Sequence, residues 1–297
     1  MVINKIKELL RNFVMNHFYY TYLNHVWKSV FGHKIDWKNP RDINEKIQWL
    51  MRYTDTTIWT RLADKYAVRD FVKSRGLENI LIPLLGKWDD ANDINYDQLP
   101  DMFVLKCNHD SGSVYVINKD KGYDKNIINE NLNKHLHYKF RSKFEEHYSY
   151  IQPCIIAEEY LEQTDINFTN SLVDYKIWCF DGKPYSIWAC YNRTHECTYV
   201  NVYDLEWNCH PEHSVFTHHY RDGKGKLPKP KSLKEMLNVA SVLSKGFPQV
   251  RVDLYNIDGK IYFGEMTFTS ASAIMDFYTP DYLVELGNQV VLPQPTK

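Results

Sequence analysis

The sequence predicts an α+β protein. Over its first 80 residues the apolar positions fall mostly at helical spacing, whereas from about residue 101 onward short apolar runs typical of strands alternate with turn signals. Because neighbouring strand-like runs are joined by short polar links, we expect antiparallel hairpins rather than a parallel sheet. The 297-residue chain is 44% hydrophobic and 25% charged, values typical of a globular protein with a large core.

Charge and composition exclude several classes of protein. The 36 Lys and Arg residues balance 37 Asp and Glu residues, so the chain lacks the basic excess of a dedicated nucleic-acid-binding protein. No apolar run approaches the roughly 20 residues that cross a bilayer, and the N-terminus lacks the cleavage site of a signal peptide. The six cysteines form no C-x-x-C pair. We therefore expect reduced thiols and a cytoplasmic location.

The first predicted element is an amphipathic helix over residues 3–31, within an N-terminal segment 1–38. Its apolar stripe is aromatic and flanked by lysines. Two interpretations stay open: the helix packs on its own domain, or residues 1–31 rest on the inner membrane as a peripheral contact. The turn signal Asn39-Pro40 ends the segment, so we expect the main domain over residues 39–297.

The elements of the main domain follow from periodicity and stop signals. Helices are predicted over residues 43–53 and 60–75, a polar helical region over 129–147, and a further helix after Ser232, whose capping box with Glu235 marks a helix start. The predicted strands are 80–85, 103–108, 114–117, 155–159, 175–180, 184–189, 251–255 and 260–266.

The hairpin of the last two predicted strands is the strongest chemical signal. If its loop has an odd number of residues, such as Ile257-Asp258-Gly259, four polar side chains share one face. They are Arg251, Asp253, Glu265 and Thr267. Carboxylate and hydroxyl oxygens are ligands that Mg²⁺ prefers, so these residues predict a magnesium site. Two alternatives stay open: the arginine and the acids form an ordinary salt bridge, or a two-residue loop separates the acids.

A second polar feature is the tip of the predicted hairpin 103–117. Lys106 lies in an otherwise apolar strand, where its ammonium group either reaches solvent or faces an anion. The tip Ser111-Gly112-Ser113 offers hydroxyl and backbone N–H groups that suit a phosphate. The chain contains no P-loop motif, and an ordinary hairpin explains the same residues.

A histidine-rich tract, Cys209-His210-x-x-His213 followed by His218 and His219, suggests zinc. Its spacing fits no standard zinc finger, and it also contains Pro211 and Glu212. We interpret the tract as a loop with incidental histidines.

Several sequence blocks between about Asn39 and Pro293 follow one another in a recognisable order. They are Asn39-Pro…Asn44-Glu-Lys-Ile-Gln-Trp49, Leu62-Ala-Asp-Lys-Tyr-Ala-Val-Arg69, Val104-Leu-Lys-Cys-Asn-His109, Ile156-Ala-Glu-Glu-Tyr-Leu161, Asp174-Tyr-Lys176, Ser244-Lys-Gly-Phe-Pro248 and Arg251-Val-Asp…Gly259-Lys-Ile-Tyr-Phe-Gly-Glu-Met-Thr-Phe268. In this order the blocks resemble the ATP-grasp superfamily and, more closely, its TupA-like branch, named for teichuronopeptide biosynthesis.

The resemblance implies an ATP-grasp fold, in which two α+β subdomains clamp ATP. The lid would span about residues 101–160 and the catalytic subdomain about 161–297. Lysines would contact the phosphates, the hairpin tip would close over them, and the end of strand 155–159 would hold adenine, with an aspartate at the ribose. The residues implied are Lys106, His109, Ser111, Gly112, Ser113, Glu158, Glu159, Tyr160, Leu161, Asp165 and Lys176.

The resemblance also implies a metal site and a reaction. Asp253, Glu265 and Thr267 would bind Mg²⁺, and Arg251 and Lys176 would act on the transferred phosphate. The implied enzyme joins a carboxylate, such as a uronic acid or acidic polymer, to an amine through an acyl phosphate. Its setting would be capsule or cell-surface polysaccharide biosynthesis, with sugar- or lipid-linked substrates. The alternatives are a sugar kinase or glycosyltransferase-like enzyme on the same fold, and a non-catalytic nucleotide-binding member.

Two stretches depart from the family pattern. Asp110 lies in the hairpin tip, where Gly is usual, and a carboxylate there repels phosphate unless it points away. The stretch 267–273 lacks the glycines expected after the magnesium-binding acid.

Aromatic residues are unusually frequent, at 15% of the chain. They suit either sugar contacts or a rigid core. We expect Trp188, Tyr191, Tyr199 and Tyr203 near the entry of a sugar-containing acceptor.

Overall fold

Two β-sheets and seven α-helices form the part of the chain that the computed structural model describes, residues 18–138, 143–163 and 168–297. The helices are α1 (Tyr19–Phe31), α2 (Ile43–Tyr53), α3 (Thr57–Ala63), α4 (Val68–Ser74), α5 (Lys125–Leu136), α6 (Leu233–Ser244) and α7 (Pro280–Gln289). The strands are β1 (Leu84–Trp88), β2 (Met102–Cys107), β3 (Tyr115–Asn118), β4 (Ile155–Glu159), β5 (Asp174–Phe180), β6 (Lys183–Tyr191), β7 (Thr198–Tyr203), β8 (Tyr220–Asp222), β9 (Val250–Ile257) and β10 (Lys260–Thr267).

The strands form a small sheet, β1-β4-β2-β3, and a large sheet, β10-β9-β5-β6-β7-β8. Every pairing is antiparallel except β7 with β8, which confirms the predicted hairpin architecture. The small sheet includes β1, which precedes the range 101–160 that we assign to the lid.

The two sheets are covered differently. The small sheet buries Phe103, Leu105 and Ile155 on the face that packs on α5. Side chains alternate along a strand, so Lys106 and Glu158 lie on its other face. The large sheet is covered on both faces, by α6 on one and by α2 and α7 on the other.

The described part of the N-terminal helix packs on its own chain. In α1, Leu23 and Trp27 are fully buried and cluster with Ile35 and Phe144. Residues 1–17, which include the first part of the predicted helix 3–31, lie outside the described residues, so the membrane interpretation stays a prediction for them. Within the described ranges, no helix has the length and apolar character that a bilayer crossing requires.

The predicted helix 60–75 is wrong as a single element, because the chain leaves helical geometry between α3 and α4. The Asp64 Oδ1 atom accepts hydrogen bonds from the backbone N–H groups of Tyr66 at 2.8 Å and Ala67 at 3.1 Å. It also accepts one from the Asn108 side chain at 2.8 Å. An aspartate that bonds nearby backbone N–H groups competes with helix continuation. This break positions Lys65.

The predicted helix after Ser232 is confirmed as α6, but the predicted capping box is wrong. The Ser232 side chain caps no backbone group of the helix and instead donates to the carbonyl oxygen of Gly259, in the turn between β9 and β10. A hydrogen bond to a distant turn thus replaces the predicted hydrogen bond within the first turn of the helix.

The aromatic excess lies mainly in the core. Trp188 stacks on Phe277 with ring centroids 4.5 Å apart, and Tyr191 and Tyr203 are also buried. Only Tyr199 among the four expected acceptor contacts is exposed, at 38%. Trp188, Tyr191 and Tyr203 are buried in β6 and β7 and offer no exposed surface to an acceptor, so their place near its entry stays a prediction.

Candidate functional site

The turn of the β9–β10 hairpin has two residues, Asp258 and Gly259, not the odd number that we expected. Both have positive φ, 51° and 87°, as the favoured two-residue hairpin turns require. Next to this turn, the register of the hairpin pairs Lys260 of β10 with Ile257 of β9. Continued unchanged, this register would separate the two acids of the predicted metal site.

A β-bulge at Gly264 restores the shared face. The register shifts between Phe263 and Glu265, and beyond it Glu265 lies opposite Asp253 and Thr267 opposite Arg251. The bulge needs glycine, since a Cβ atom at residue 264 would lie 2.9 Å from the carbonyl oxygen of Asp253. The predicted grouping is thus correct although the predicted loop is wrong.

We call the polar residues on this face of β5, β9 and β10 the large-sheet cluster: Asp174, Lys176, Arg251, Asp253, Glu265 and Thr267. Arg251 donates from Nε and Nη2 to the two carboxylate oxygens of Asp253, both at 2.7 Å. Lys176 Nζ lies 2.5 Å from Asp253 Oδ2 and 2.6 Å from Asp174 Oδ2. Both basic groups are therefore held by buried carboxylates.

Glu265 is the accessible acid of the large-sheet cluster, with 40% of its side chain exposed. Its Oε1 atom accepts from Thr267 at 2.8 Å and from Arg251 at 3.2 Å. The partial burial of the Glu265 carboxylate raises its pKa, but the positive charges of Lys176, Arg251 and Lys65 outweigh this effect and lower the pKa to about 2. This carboxylate is ionised at neutral pH.

A second group, the small-sheet cluster, consists of Lys65, Arg69, Lys106 and Glu158. Glu158 Oε2 lies 2.5 Å from Lys106 Nζ, and Glu158 Oε1 lies 3.4 Å from Arg69 Nη1. The carboxylate that we expected at adenine is thus an ion-pair partner of the predicted phosphate-binding lysine.

Lys65 connects the two clusters, and sequence reasoning missed it. The charge of Lys65 interacts with Glu265 of the large-sheet cluster and with Lys106 and Glu158 of its own. Its Nζ atom donates to the backbone oxygen of Asp110 at 2.5 Å. Burial lowers the pKa of Lys65. One sequence feature could have indicated it: Asp64, directly before Lys65, belongs to a residue type that often interrupts helices.

The hairpin tip turns its carboxylate inward. Asp110 accepts a hydrogen bond from the Ser113 hydroxyl and lies 2.5 Å from His135 Nδ1. The Ser113 hydroxyl also accepts from the backbone N–H of Cys107 at 2.8 Å. Ser113 thus holds the turn together, whereas Ser111 and Gly112 are the exposed tip residues. The charge of Asp110 is directed away from the exposed tip.

The remaining predicted nucleotide residues are more scattered. His109 is buried after β2, and burial lowers the pKa of its imidazole. Beyond Glu158, Glu159 is exposed, Tyr160 is half-buried and Leu161 is buried. Asp165 lies outside the described residues. Glu158 and Glu159 end β4, and Tyr160 and Leu161 follow it, so the role of these residues at adenine stays a prediction.

A further acid reaches the large sheet from a distant segment. Glu145, in the 3₁₀ segment Lys143–Tyr150, accepts from the hydroxyls of Thr269 at 3.0 Å and Ser272 at 2.9 Å. The partner turn has positive φ at Ala271 and Ser272, 47° and 57°, without glycine. Burial raises the pKa of Glu145. Sequence offered no signal for this long-range contact.

The residues present fit a magnesium nucleotide. Asp253, Glu265 and Thr267 offer adjacent oxygen ligands, and Mg²⁺ binds to one or two protein carboxylates while keeping waters and phosphate oxygens. Arg251 and Lys176 bond both oxygens of Asp253, so an ion would bind at Glu265 or replace one of these contacts. The cations of the small-sheet cluster suit phosphate oxygens.

A known protein family matches most of this chain. The family described as TupA-like ATPgrasp matches residues 45–291, whereas no curated protein sequence matches the chain. One similar solved structure is a D-alanine–D-alanine ligase from Bacillus anthracis complexed with ATP; it is 19% identical, the match covers 77% of this chain and 65% of that chain, and the TM-score is 0.44. Another is the D-alanine–D-alanine ligase from Helicobacter pylori; it is 13% identical, the match covers 79% of this chain and 60% of that chain, and the TM-score is 0.43. An L-amino acid ligase from Bacillus licheniformis is also similar; it is 14% identical, the match covers 78% of this chain and 50% of that chain, and the TM-score is 0.46. The chain thus spans about two thirds or less of these structures.

The family match covers most of the chain, from the start of α2 to just beyond α7. It includes both sheets and every residue of the two clusters. The protein has the ATP-grasp fold and belongs to the TupA-like ATP-grasp family.

Proposed function

We propose that the protein is an ATP- and Mg²⁺-dependent ligase that joins a carboxylate to an amine. One observation carries the proposal: the charge of Lys65, in the small-sheet cluster, acts on Glu265 of the large-sheet cluster as well as on Glu158 of its own. One cluster offers cations for a polyphosphate and the other offers oxygen ligands for a divalent ion. A magnesium nucleotide fits both at once.

In the proposed reaction, a substrate carboxylate oxygen attacks the γ-phosphorus of ATP, the bond to the bridging oxygen breaks, and ADP leaves. The amine nitrogen then attacks the acyl carbon, loses a proton and displaces inorganic phosphate. Bound Mg²⁺ supplies neutralisation of the phosphate charge. The protein needs no nucleophile, because phosphoryl transfer depends mainly on alignment and on stabilisation of charge.

The chain's own residues have distinct roles in this scheme. Lys106 and Lys65 hold phosphate oxygens, and Arg251, with Lys176 beside it, faces the transferred group. Arg251 is fixed by bidentate bonding to Asp253, so its position is set before substrate arrives. The exposed tip residues Ser111 and Gly112 close over the phosphates.

We further propose a biological setting. The acyl substrate is a uronic acid or an acidic polymer, and the setting is capsule or cell-surface polysaccharide biosynthesis on the cytoplasmic side, with peripheral membrane contact through the N-terminal segment. Membership of the TupA-like family supports this choice. Sugar- or lipid-linked substrates belong to the same proposal.

The test is an assay of ADP release with ATP, Mg²⁺, amino acids as amines and uronic acids as carboxylates, with mass analysis of the products. The proposal predicts ADP and an amide in equal amounts. Glu265→Gln removes an ionised ligand and should lower the rate at least about 100-fold. Glu235→Gln, on the exposed face of α6, should leave the rate unchanged. A phosphoester product would identify a kinase, and ATP binding without turnover would identify a non-catalytic member.

A further inference from the structure

A second group of metal-binding side chains lies outside both clusters, on the 3₁₀ turn Pro211–His213 between β7 and β8. His210, Glu212 and His213 each offer one ligand atom, and these atoms all lie within 4.8 Å of one another. Among the described residues, no other group of three His, Cys, Asp or Glu side chains meets this criterion.

His210 is oriented as a metal-binding histidine is. Its Nδ1 atom lies 2.9 Å from Glu212 Oε1, inside the group, whereas its Nε2 atom lies 3.5 Å from Asp204 Oδ2, outside it. Histidines that bind metals commonly use one ring nitrogen for the ion and donate the other N–H to a carboxylate, which fixes the ring and its tautomer. Asp204 occupies the place of that outer carboxylate.

His213 is held by packing. Its ring stacks on Tyr282 of α7, with centroids 4.1 Å apart and planes at 11°. The backbone of the turn is anchored at both ends, since His210 N donates to Val202 O at 2.8 Å and Thr279 N donates to His213 O at 3.0 Å. The ligands are therefore placed by ordered elements rather than by a free loop.

We propose that His210, Glu212 and His213 bind a transition-metal cation of the Zn²⁺ class. Two imidazoles and a carboxylate are a ligand set that zinc accepts, with a fourth position open to water. Ligands about 2.0–2.2 Å from a tetrahedral ion lie about 3.4 Å apart, so small side-chain rotations suffice to close the site. Mg²⁺ avoids imidazole and would not compete.

A bound ion would stiffen the turn itself, because all three ligands lie within residues 210–213. The turn follows β7 and contacts the start of α7 through Thr279 and Tyr282. Binding would therefore also fix the His213 ring that stacks on Tyr282. The inference is independent of the proposed ligase function, because none of the three ligands belongs to either cluster.

The test is calorimetric titration of the metal-free full chain with Zn²⁺, repeated with saturating Mg²⁺. We expect one tight equivalent, unaffected by Mg²⁺, and a rise in Tm on binding. His213→Ala should weaken binding at least about tenfold and remove the rise in Tm. His218→Ala is the matched control, because His218 lies 2.9 Å from Asp276 and not in the group.

Glu212→Gln is the second variant, since its largely exposed side chain can be changed without loss of the fold. It should also weaken binding while the circular dichroism spectrum stays that of the wild type. No tight equivalent in the wild type would overturn the proposal. Equal affinity in wild type, His213→Ala and Glu212→Gln would also overturn it.

Discussion

The small-sheet and large-sheet clusters differ in charge. The small-sheet cluster has three cations, Lys65, Arg69 and Lys106, around one carboxylate, Glu158. The large-sheet cluster has two cations among three carboxylates. The first therefore favours an anionic ligand and the second a cationic one. A polyphosphate carrying a divalent ion complements both, which a single uniform cluster could not do.

The clusters also differ in how tightly they are built. In the large-sheet cluster, Arg251 donates to Asp253, Glu265, Thr267 and Ser270. The small-sheet cluster has only single ion-pair contacts around its carboxylate. Substitutions that remove Arg251 should thus reduce stability more than substitutions that remove one cation of the small-sheet cluster.

Arg251→Ala should have the largest effect, because it leaves the buried carboxylate of Asp253 without its bidentate partner. We expect the free energy of unfolding to fall by about 4 kcal/mol, measured by urea denaturation. Arg221→Ala, an exposed residue, should change it by less than about 0.5 kcal/mol. A loss below about 1 kcal/mol for Arg251→Ala would show that the large-sheet cluster is not a tightly coupled unit.

His147 tests the 3₁₀ segment Lys143–Tyr150, which precedes β4 of the small sheet and whose Glu145 bonds Thr269 and Ser272 just after β10 of the large sheet. Burial lowers the pKa of its imidazole from 6.5 to about 4. As the pH falls, the imidazole of the unfolded chain takes up a proton near pH 6.5, whereas that of the folded chain does so only near pH 4. The folded state is therefore not penalised above pH 6.5, and the free energy of unfolding falls as the pH drops from 6.5 to about 4. The loss should reach about 3 kcal/mol.

In His147→Phe this part of the pH dependence should disappear. The measurement is urea denaturation of wild type and variant at pH 7, 5.5 and 4.5. Parallel stability curves for the two proteins would refute the buried, neutral state of His147.

Gly264→Ala tests the bulge that builds the large-sheet cluster. The added Cβ atom meets the backbone oxygen of Asp253 at 2.9 Å, so β10 must shift. We expect a loss of about 2 kcal/mol and a weaker response of ATP affinity to Mg²⁺. Gly112→Ala, whose Cβ atom would meet only a His135 side-chain atom at 3.4 Å, should leave stability nearly unchanged. Equal stability of the two variants would contradict the role of the bulge.

Asp110→Gly should have the smallest effect, on the small-sheet side. The carboxylate already bonds Ser113 and His135, so its removal should cost about 1 kcal/mol of stability and leave ATP affinity within about twofold. Isothermal titration with ATP checks this. A tenfold rise in affinity would mean that Asp110 repels the phosphates after all.

The sequence predicted the large-sheet cluster better than the small-sheet one, for a physical reason. Arg251, Asp253, Glu265 and Thr267 lie on one hairpin, where alternation along the strands limits the possible faces. Even so, the shared face depends on two features that the sequence did not predict: the two-residue turn shifts the strand register by one residue, and the bulge at Gly264 shifts it back. Lys65 is placed by a helix break and a contact with residue 110, which single-sequence periodicity does not report.

Long-range packing explains the other differences. Glu145 meets Thr269 and Ser272, more than 120 residues away along the chain. The Ser232 hydroxyl donates to the carbonyl oxygen of Gly259 and not to a backbone group of its own helix. Such contacts depend on how the elements pack, not on the pattern of any one element.

In the proposed complex, phosphates bind at the small-sheet cluster and Mg²⁺ at the large-sheet cluster. The most direct measurement is ATP affinity with and without Mg²⁺ for wild type, Lys65→Met, Glu265→Gln and the exposed control Lys73→Met. Lys65→Met should weaken ATP about tenfold in both conditions, whereas Glu265→Gln should lose only the gain that Mg²⁺ provides. Wild-type affinities in both variants, or the same loss in both regardless of Mg²⁺, would contradict the claim.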